Sequence, residues 1–188
     1  MAAAVSVPNS RLRLTGVGMN PTRSGFVSLL QEMGAKVSVT PLSIHCGEAV
    51  GDITVESSDM AGIEIAGKWI PNVIDEIPML AVLGTRTRNG IRIRDAAELR
   101  AKESDRIQAV ASNLRALGAQ VEEYPDGLWV PGNQKLHGGS IDSFGDHRIA
   151  MAFAIAGLFA DQPITIENSS CVGISFPGFF DILRTLTR

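Results

Sequence analysis

Little in this sequence invites covalent or metal chemistry. Only two cysteines occur, Cys46 and Cys171, with no C-x-x-C pair, so neither a disulfide framework nor a thiolate metal knot is expected. They read as reduced, buried thiols in a cytosolic protein. His45, His137 and His147 are scattered, no pair has ligand spacing, and no metal is expected. Ser24-Gly25, Gly139-Ser140 and Ser169-Ser170 lack the G-x-S-x-G nucleophile elbow, and nothing matches G-x-x-x-x-G-K-[ST]. There is no excess of positive charge: the net charge of -3 leaves no footprint for nucleic acid, and any anion site must be a local patch. The longest apolar run, Ile149 to Ala160, falls short of the roughly 20 residues a membrane span needs and reads as a buried helix. The first residues, Met1 to Pro8, carry no charged leader.

What is present is the balance of a globular chain: 188 residues, 45% apolar and 20% charged, enough for one ordinary domain or two small ones. Three segments repeat one plan of alternating strand, polar loop and helix. They start at Arg11-Leu12-Arg13-Leu14, Ile91-Arg92-Ile93-Arg94 and Ile164-Thr165-Ile166-Glu167. The first two helices end in Gly34-Ala35 and Gly118-Ala119, where glycine suits a left-handed cap. A second helix type recurs behind an acid, at Asp75-Glu76-Ile77-Pro78 and Asp146-His147-Arg148-Ile149. Strands are expected at Ile53–Glu56 and Leu128–Val130, with turns at Pro125-Asp126-Gly127 and Pro131-Gly132. The unit is therefore strand–helix–strand–strand–helix, at a period of roughly 70 to 80 residues. Met1 to Val7 fits the tail of a second-type helix, so the chain is expected to begin inside a unit. The stretch after Val82, with Gly84, Thr85 and Thr87, predicts a helix that ends a turn early or lies more exposed than its counterpart.

Three charged clusters stand at expected helix starts: Asp75-Glu76, Lys102-Glu103-Ser104-Asp105-Arg106 and Asp146-His147-Arg148. Ile107, Val110, Ala111, Leu114 and Leu117 mark a core-facing stripe. Counting back along it puts Lys102, Glu103 and Arg106 on its N-terminal continuation. Cations there meet the positive end of the helix dipole, which is unfavourable unless an anion is present. Singly each cluster has a plainer reading: Glu103 and Arg106 as a surface pair, Asp75 and Asp146 as N-caps, His147 as a packing residue. Together they supply arginine forks that match carboxylate and phosphate, and carboxylates and a lysine able to move protons, as a small multiply anionic substrate requires.

Lys102-Glu103-Ser104-Asp105-Arg106, Gly145-Asp146-His147-Arg148-Ile149-Ala150-Met151 and Ser175-Phe176-Pro177 resemble signature motifs of the 5-enolpyruvylshikimate-3-phosphate (EPSP) synthase family. Gly18-Met19-Asn20-Pro21-Thr22-Arg23 is similar to a further family stretch, and the likeness covers nearly the whole chain. The enolpyruvyl transferase of cell-wall synthesis shares the fold but not the Lys-Glu-Ser-Asp-Arg and Asp-His-Arg motifs. The resemblance implies a mixed α/β (α+β) fold of βαβαββ repeats, helices inside and sheets outside, an inside-out barrel forming one domain of a two-domain enzyme. Residues 1–188 would be its C-terminal domain, truncated at the start, with the N-terminal domain absent. Ile174 stands where the family has a lysine, a position at which members vary.

The activity so implied transfers the enolpyruvyl group of phosphoenolpyruvate to the 5-hydroxyl of 3-phosphoshikimate, releasing phosphate, with no cofactor. Asp75 and Lys102 would serve the hydroxyl side and hold 3-phosphoshikimate, Glu103 would protonate the methylene, Arg106 and Arg148 would clamp phosphoenolpyruvate, and His147 would assist. A cytoplasmic enzyme is expected, with the missing half as partner and neither nucleic acid nor membrane involved. Alone, the chain is expected to fold at least partly and not to turn over. The alternative is a non-catalytic half that binds phosphoenolpyruvate weakly or associates with a partner half. A role on RNA ends is disfavoured by the acidic charge.

Overall fold

The structure, a computed structural model, describes residues 1–45 and 47–187. Cys46 therefore lies outside the described residues, whereas Cys171 is a free thiol, half-buried rather than fully buried.

The middle of the chain builds one full unit. Strand β4 (Ile63–Ile65) leads through helices α3 (Ile70–Val73) and α4 (Ile77–Gly84) into β5 (Ile91–Ile93). Helix α5 (Arg106–Ala116) and the hairpin β6 (Glu122–Tyr124) and β7 (Gly127–Val130) follow. The sheet order is β4-β5-β7-β6, with β4 parallel to β5 and the other pairs antiparallel. This is a βαβαββ unit, the first helix position being filled by the broken pair α3 and α4. Before it, α1 (Ala2–Ser6), β1 (Arg11–Gly18), α2 (Gly25–Glu32), β2 (Lys36–His45) and β3 (Glu48–Glu56) form an antiparallel sheet in the order β1-β3-β2. After it, β8 (Gly139–Asp142), α6 (His147–Ala156) and β9 (Ile164–Glu167) give a parallel pair, followed by α7 (Val172–Ser175) and α8 (Phe179–Leu186).

The repeat read from sequence is present, and β4 and β8 are added to it. Each pairs in parallel with the strand that follows the next helix, β5 and β9. Three residues of β4 and a single buried residue of β8, Ile141, are too short a run to display a period of two. The glycine caps are where expected: Gly34 and Gly118 both have φ of 84°.

Helices form the inside. Ile77, Leu80, Ala81, Val82 and Leu83 are all buried, so α4 is apolar all round and packs among α1, α5 and α6. It does end early, at Gly84, where Thr85 and Thr87 turn their hydroxyls back onto the Val82 and Gly84 carbonyls; it does not lie exposed. The run Ile149–Ala160 is helical only to Ala156, and residues 157–160 turn away half-buried. Among the described residues no helix is long and apolar enough to cross a membrane. Outward, the strands expose alternate residues, as on β1.

Candidate active site

The helix α5 begins later than the stripe suggests. Ala97–Ala101 form a 3₁₀ turn, Lys102 is extended, and Asp105 is the N-cap, accepting from the Gln108 amide at 3.0 Å. Lys102, Glu103 and Ser104 thus lie in a bend, not on the helix face, and only Arg106 continues the stripe. The reason is local: Ser and Asp favour caps over helix interiors because their side chains satisfy the free amides of the first turn. Arg100 pins this bend. Its guanidinium donates to Asp105 at 2.8 Å and to the Tyr124 and Pro125 carbonyls at 2.6 and 2.7 Å, fastening the loop to the β6–β7 hairpin.

Arg106 is the centre of the site. Only 1% of it is exposed, and three carboxylates from three segments surround it. Nε donates to Asp146 at 2.8 Å, Nη1 to Asp75 at 3.2 Å and Nη2 to Glu103 at 2.5 Å. A buried guanidinium requires such partners, since an unpaired charge away from water costs several kcal/mol. Asp146 is fully buried, caps α6 through the Arg148 amide at 2.8 Å, and accepts from the Ser104 hydroxyl at 3.1 Å. Burial pushes its carboxyl up, but the hydrogen bonds from Arg106, the Arg148 amide and Ser104 outweigh this and hold it below the usual carboxylate value. The tight turn before it carries Phe144 and Gly145 at φ of 52° and 71°.

Asp75 sits in the turn between α3 and α4, not at a cap; Glu76 occupies the N-cap position and makes no side-chain capping bond. The Asp75 carboxylate bridges the two arginines, taking Arg106 on Oδ1 and Arg148 Nη2 on Oδ2 at 2.8 Å. Arg148 also donates to the Asp75 carbonyl at 3.2 Å and keeps 28% of its side chain exposed.

The structure therefore brings together Asp75, Glu103, Arg106 and Arg148, four of the six residues singled out in the sequence. Lys102 and His147 stand beside them. Lys102 pairs with Glu98 one turn earlier, and His147, half-buried at the first position of α6, makes no side-chain hydrogen bond among the described residues. Asp146 caps α6 as the sequence suggested; its bond to Arg106, and the structural roles of Ser104 and Arg100, are what the sequence did not reveal. The Asp105-x-x-Gln108 cap pattern was the available signal for where α5 starts. Arg148 and Glu103 form an open wall; a larger cavity, of about 640 Å³, lies elsewhere, between α1, the start of β1 and α8.

Such a wall offers arginine forks with one exposed edge, a half-exposed carboxylate and a nearby lysine, the equipment for holding a carboxylate or phosphate while protons move. Comparison with known proteins gives the family. The family model for EPSP synthase (3-phosphoshikimate 1-carboxyvinyltransferase) matches residues 1–183. The 3-phosphoshikimate 1-carboxyvinyltransferase of Koribacter versatilis is 50% identical over 188 residues, and that of Bacillus subtilis 45% over 189. Each match takes in 100% of this chain and 44% of the relative, so the chain spans less than half the length of these curated relatives. The solved EPSP synthase of Acinetobacter baumannii superposes with a TM-score of 0.93 at 36% identity, over 98% of this chain and 43% of that one. The enolpyruvyl transferase NikO of Streptomyces tendae shares the fold, with a TM-score of 0.78 at 22% identity over 98% of this chain and 40% of that one. The chain belongs to the EPSP synthase family.

Proposed function

We propose that this chain is the C-terminal domain, residues 1–188, of a cytoplasmic enzyme that transfers the enolpyruvyl group of phosphoenolpyruvate to the 5-hydroxyl of 3-phosphoshikimate and releases phosphate. The observation that carries the reading is the joining of Asp75, Glu103, Arg106 and Arg148, from three helix starts, in a chain of this family. The reaction needs a base for the hydroxyl proton, an acid for the methylene carbon, and cations for the carboxylate and phosphate. Arg148, with its exposed edge, receives the anion of phosphoenolpyruvate. Arg106 joins it when the substrate's anion displaces Glu103, the most exposed of its three carboxylate partners. Displacement has a second consequence: Glu103, released from the guanidinium, is free to carry the proton it gives to the methylene. Asp75 and Lys102 act on the hydroxyl of 3-phosphoshikimate, and His147 assists. No metal or organic cofactor enters this scheme.

The wall here is one side of a cleft. Its other side would come from the part of the relatives' length that this chain does not span, and closure of the two would exclude water and orient the substrates. The test is a phosphate-release assay with both substrates, on this chain alone and then mixed with the separately made remaining part. Turnover only on mixing is expected, and Glu103→Gln should then lower it by roughly 10²–10⁴-fold. Robust turnover by this chain alone would overthrow the half-site reading, and undiminished turnover by Glu103→Gln would remove Glu103 from the chemistry.

A further inference from the structure

Among the carboxylates of this wall, Asp75, Glu103 and Asp146 each receive guanidinium hydrogen bonds. Glu76 accepts no side-chain hydrogen bond among the described residues, yet it is half-buried at the head of α4. It lines a cavity of about 90 Å³ together with Thr22, Arg23, Asn72 and Asp75. The turn bearing Arg23 is brought there by a close approach of backbones: a Cβ on Gly25 would lie 2.9 Å from the Asn72 carbonyl oxygen.

The charged groups facing Glu76 come from each neighbouring element. Arg148, from α6, donates at 3.2 Å to the carbonyl of the preceding residue, Asp75; Arg23 comes from the turn before α2 and Asp75 from its own turn; α3 contributes only the uncharged Pro71 and Asn72. Burial pushes the carboxyl up, Arg148 draws it down, Asp75 pushes it up, and a bond from its own backbone amide and then Arg23 draw it down, with a net rise above its usual value. Arg148 already holds one full carboxylate in Asp75. An anion arriving on the same guanidinium would place a second negative charge, after Asp75, beside Glu76, which takes no side-chain hydrogen bond among the described residues.

Resting on the reading of Arg148 as an anion clamp, we infer that Glu76 is a positioning residue that sets the anion affinity of Arg148: ionised, it competes with the anion, and it takes a proton from solvent when the anion binds. The sign follows from linkage. At low pH Glu76 is neutral and the anion meets no competitor. As pH rises through its titration, binding must first protonate it, and affinity falls. Glu76→Gln fixes the neutral state.

The experiment is calorimetric titration of this chain and of Glu76→Gln with phosphoenolpyruvate, and with inorganic phosphate as a second probe. At about pH 7.5 the variant should bind roughly 3- to 10-fold tighter than the parent, and at about pH 5 the difference should be smaller. Running both proteins with the same ligand subtracts the ligand's own titration. Equal affinities at both pH values would overturn the role of Glu76 while leaving Arg148 as an anion site. No binding by either protein at either pH would overturn the anion reading of Arg148, and this inference with it. A check that needs no variant is the ¹³C titration of the Glu76 carboxyl in the parent chain. Its midpoint should rise when phosphoenolpyruvate is bound, and an unmoved midpoint would overturn the inference.

Discussion

Asp75-Glu76 and Asp146-His147 stand at the same place in successive units, at the heads of α4 and α6, yet the two heads are built differently. At α6 the acid is fully buried, caps the helix, and has the guanidinium of Arg106 against it. At α4 the acid in the same position caps nothing; it lies 39% exposed between two arginines, and the next carboxyl, Glu76, is held by no side chain among the described residues. The consequence is opposite electrostatics: the carboxyl of Asp146 is held down by its hydrogen bonds, whereas that of Glu76 is pushed up by burial. One head is a structural anchor and the other an adjustable surface. A pseudo-symmetric fold can thus bury the acid at one repeat position and leave it partly exposed at the next.

The sharpest way to break this comparison is at the anchor. Asp146→Asn keeps an oxygen for the cap but leaves the buried guanidinium of Arg106 without its most buried partner. It should cost about 3 kcal/mol in urea unfolding, the low end for a broken buried pair, because Asp75 and Glu103 remain. The same change at the other head, Asp75→Asn, should cost about 1 kcal/mol or less, as expected of a partly exposed pair. Equal losses at the two positions would erase the distinction between them.

A smaller and opposite pair of effects should appear with pH. The folded chain holds the Asp146 carboxyl below its unfolded value of 3.8, so its contribution is present above that value and lost as pH falls through the folded one. For Glu76 the folded value lies above 4.5, so its contribution is present below 4.5 and lost as pH rises through the folded value. Urea midpoints measured against pH in Glu76→Gln and in the parent should therefore converge in acid and separate, with the variant more stable, toward neutral pH.

Much of this was legible in the sequence. The stripe from Ile107 to Leu117 has the helical period, and all five of its residues are buried. The glycine caps, the Pro125-Asp126 turn and the early end of α4 follow from local backbone preferences that tertiary contacts did not override. The start of α5 was misplaced because a charged segment in front of a stripe can be counted onto it by periodicity alone, while the cap at Asp105 decides where the helix begins. The strands β4 and β8 were missed because their few residues are strands through parallel pairing with β5 and β9 rather than through any pattern of their own. The bond from Arg106 to Asp146 joins residues 40 apart, and no local rule could have found it.

The central claim is that Arg106 and Arg148 form the anion-binding edge of an EPSP synthase half-site. Its most direct test is a ¹H–¹⁵N NMR titration of this chain with phosphoenolpyruvate, following the arginine Nε resonances in the parent and in Arg148→Lys. A lysine supplies charge without the two-pronged fork, so its affinity should fall by about 10- to 100-fold. Saturable shifts at Arg106 and Arg148, weakened to that extent by the lysine, are the predicted result. Both resonances unmoved at high ligand concentration, or Arg148→Lys binding as tightly as the parent, would contradict the account.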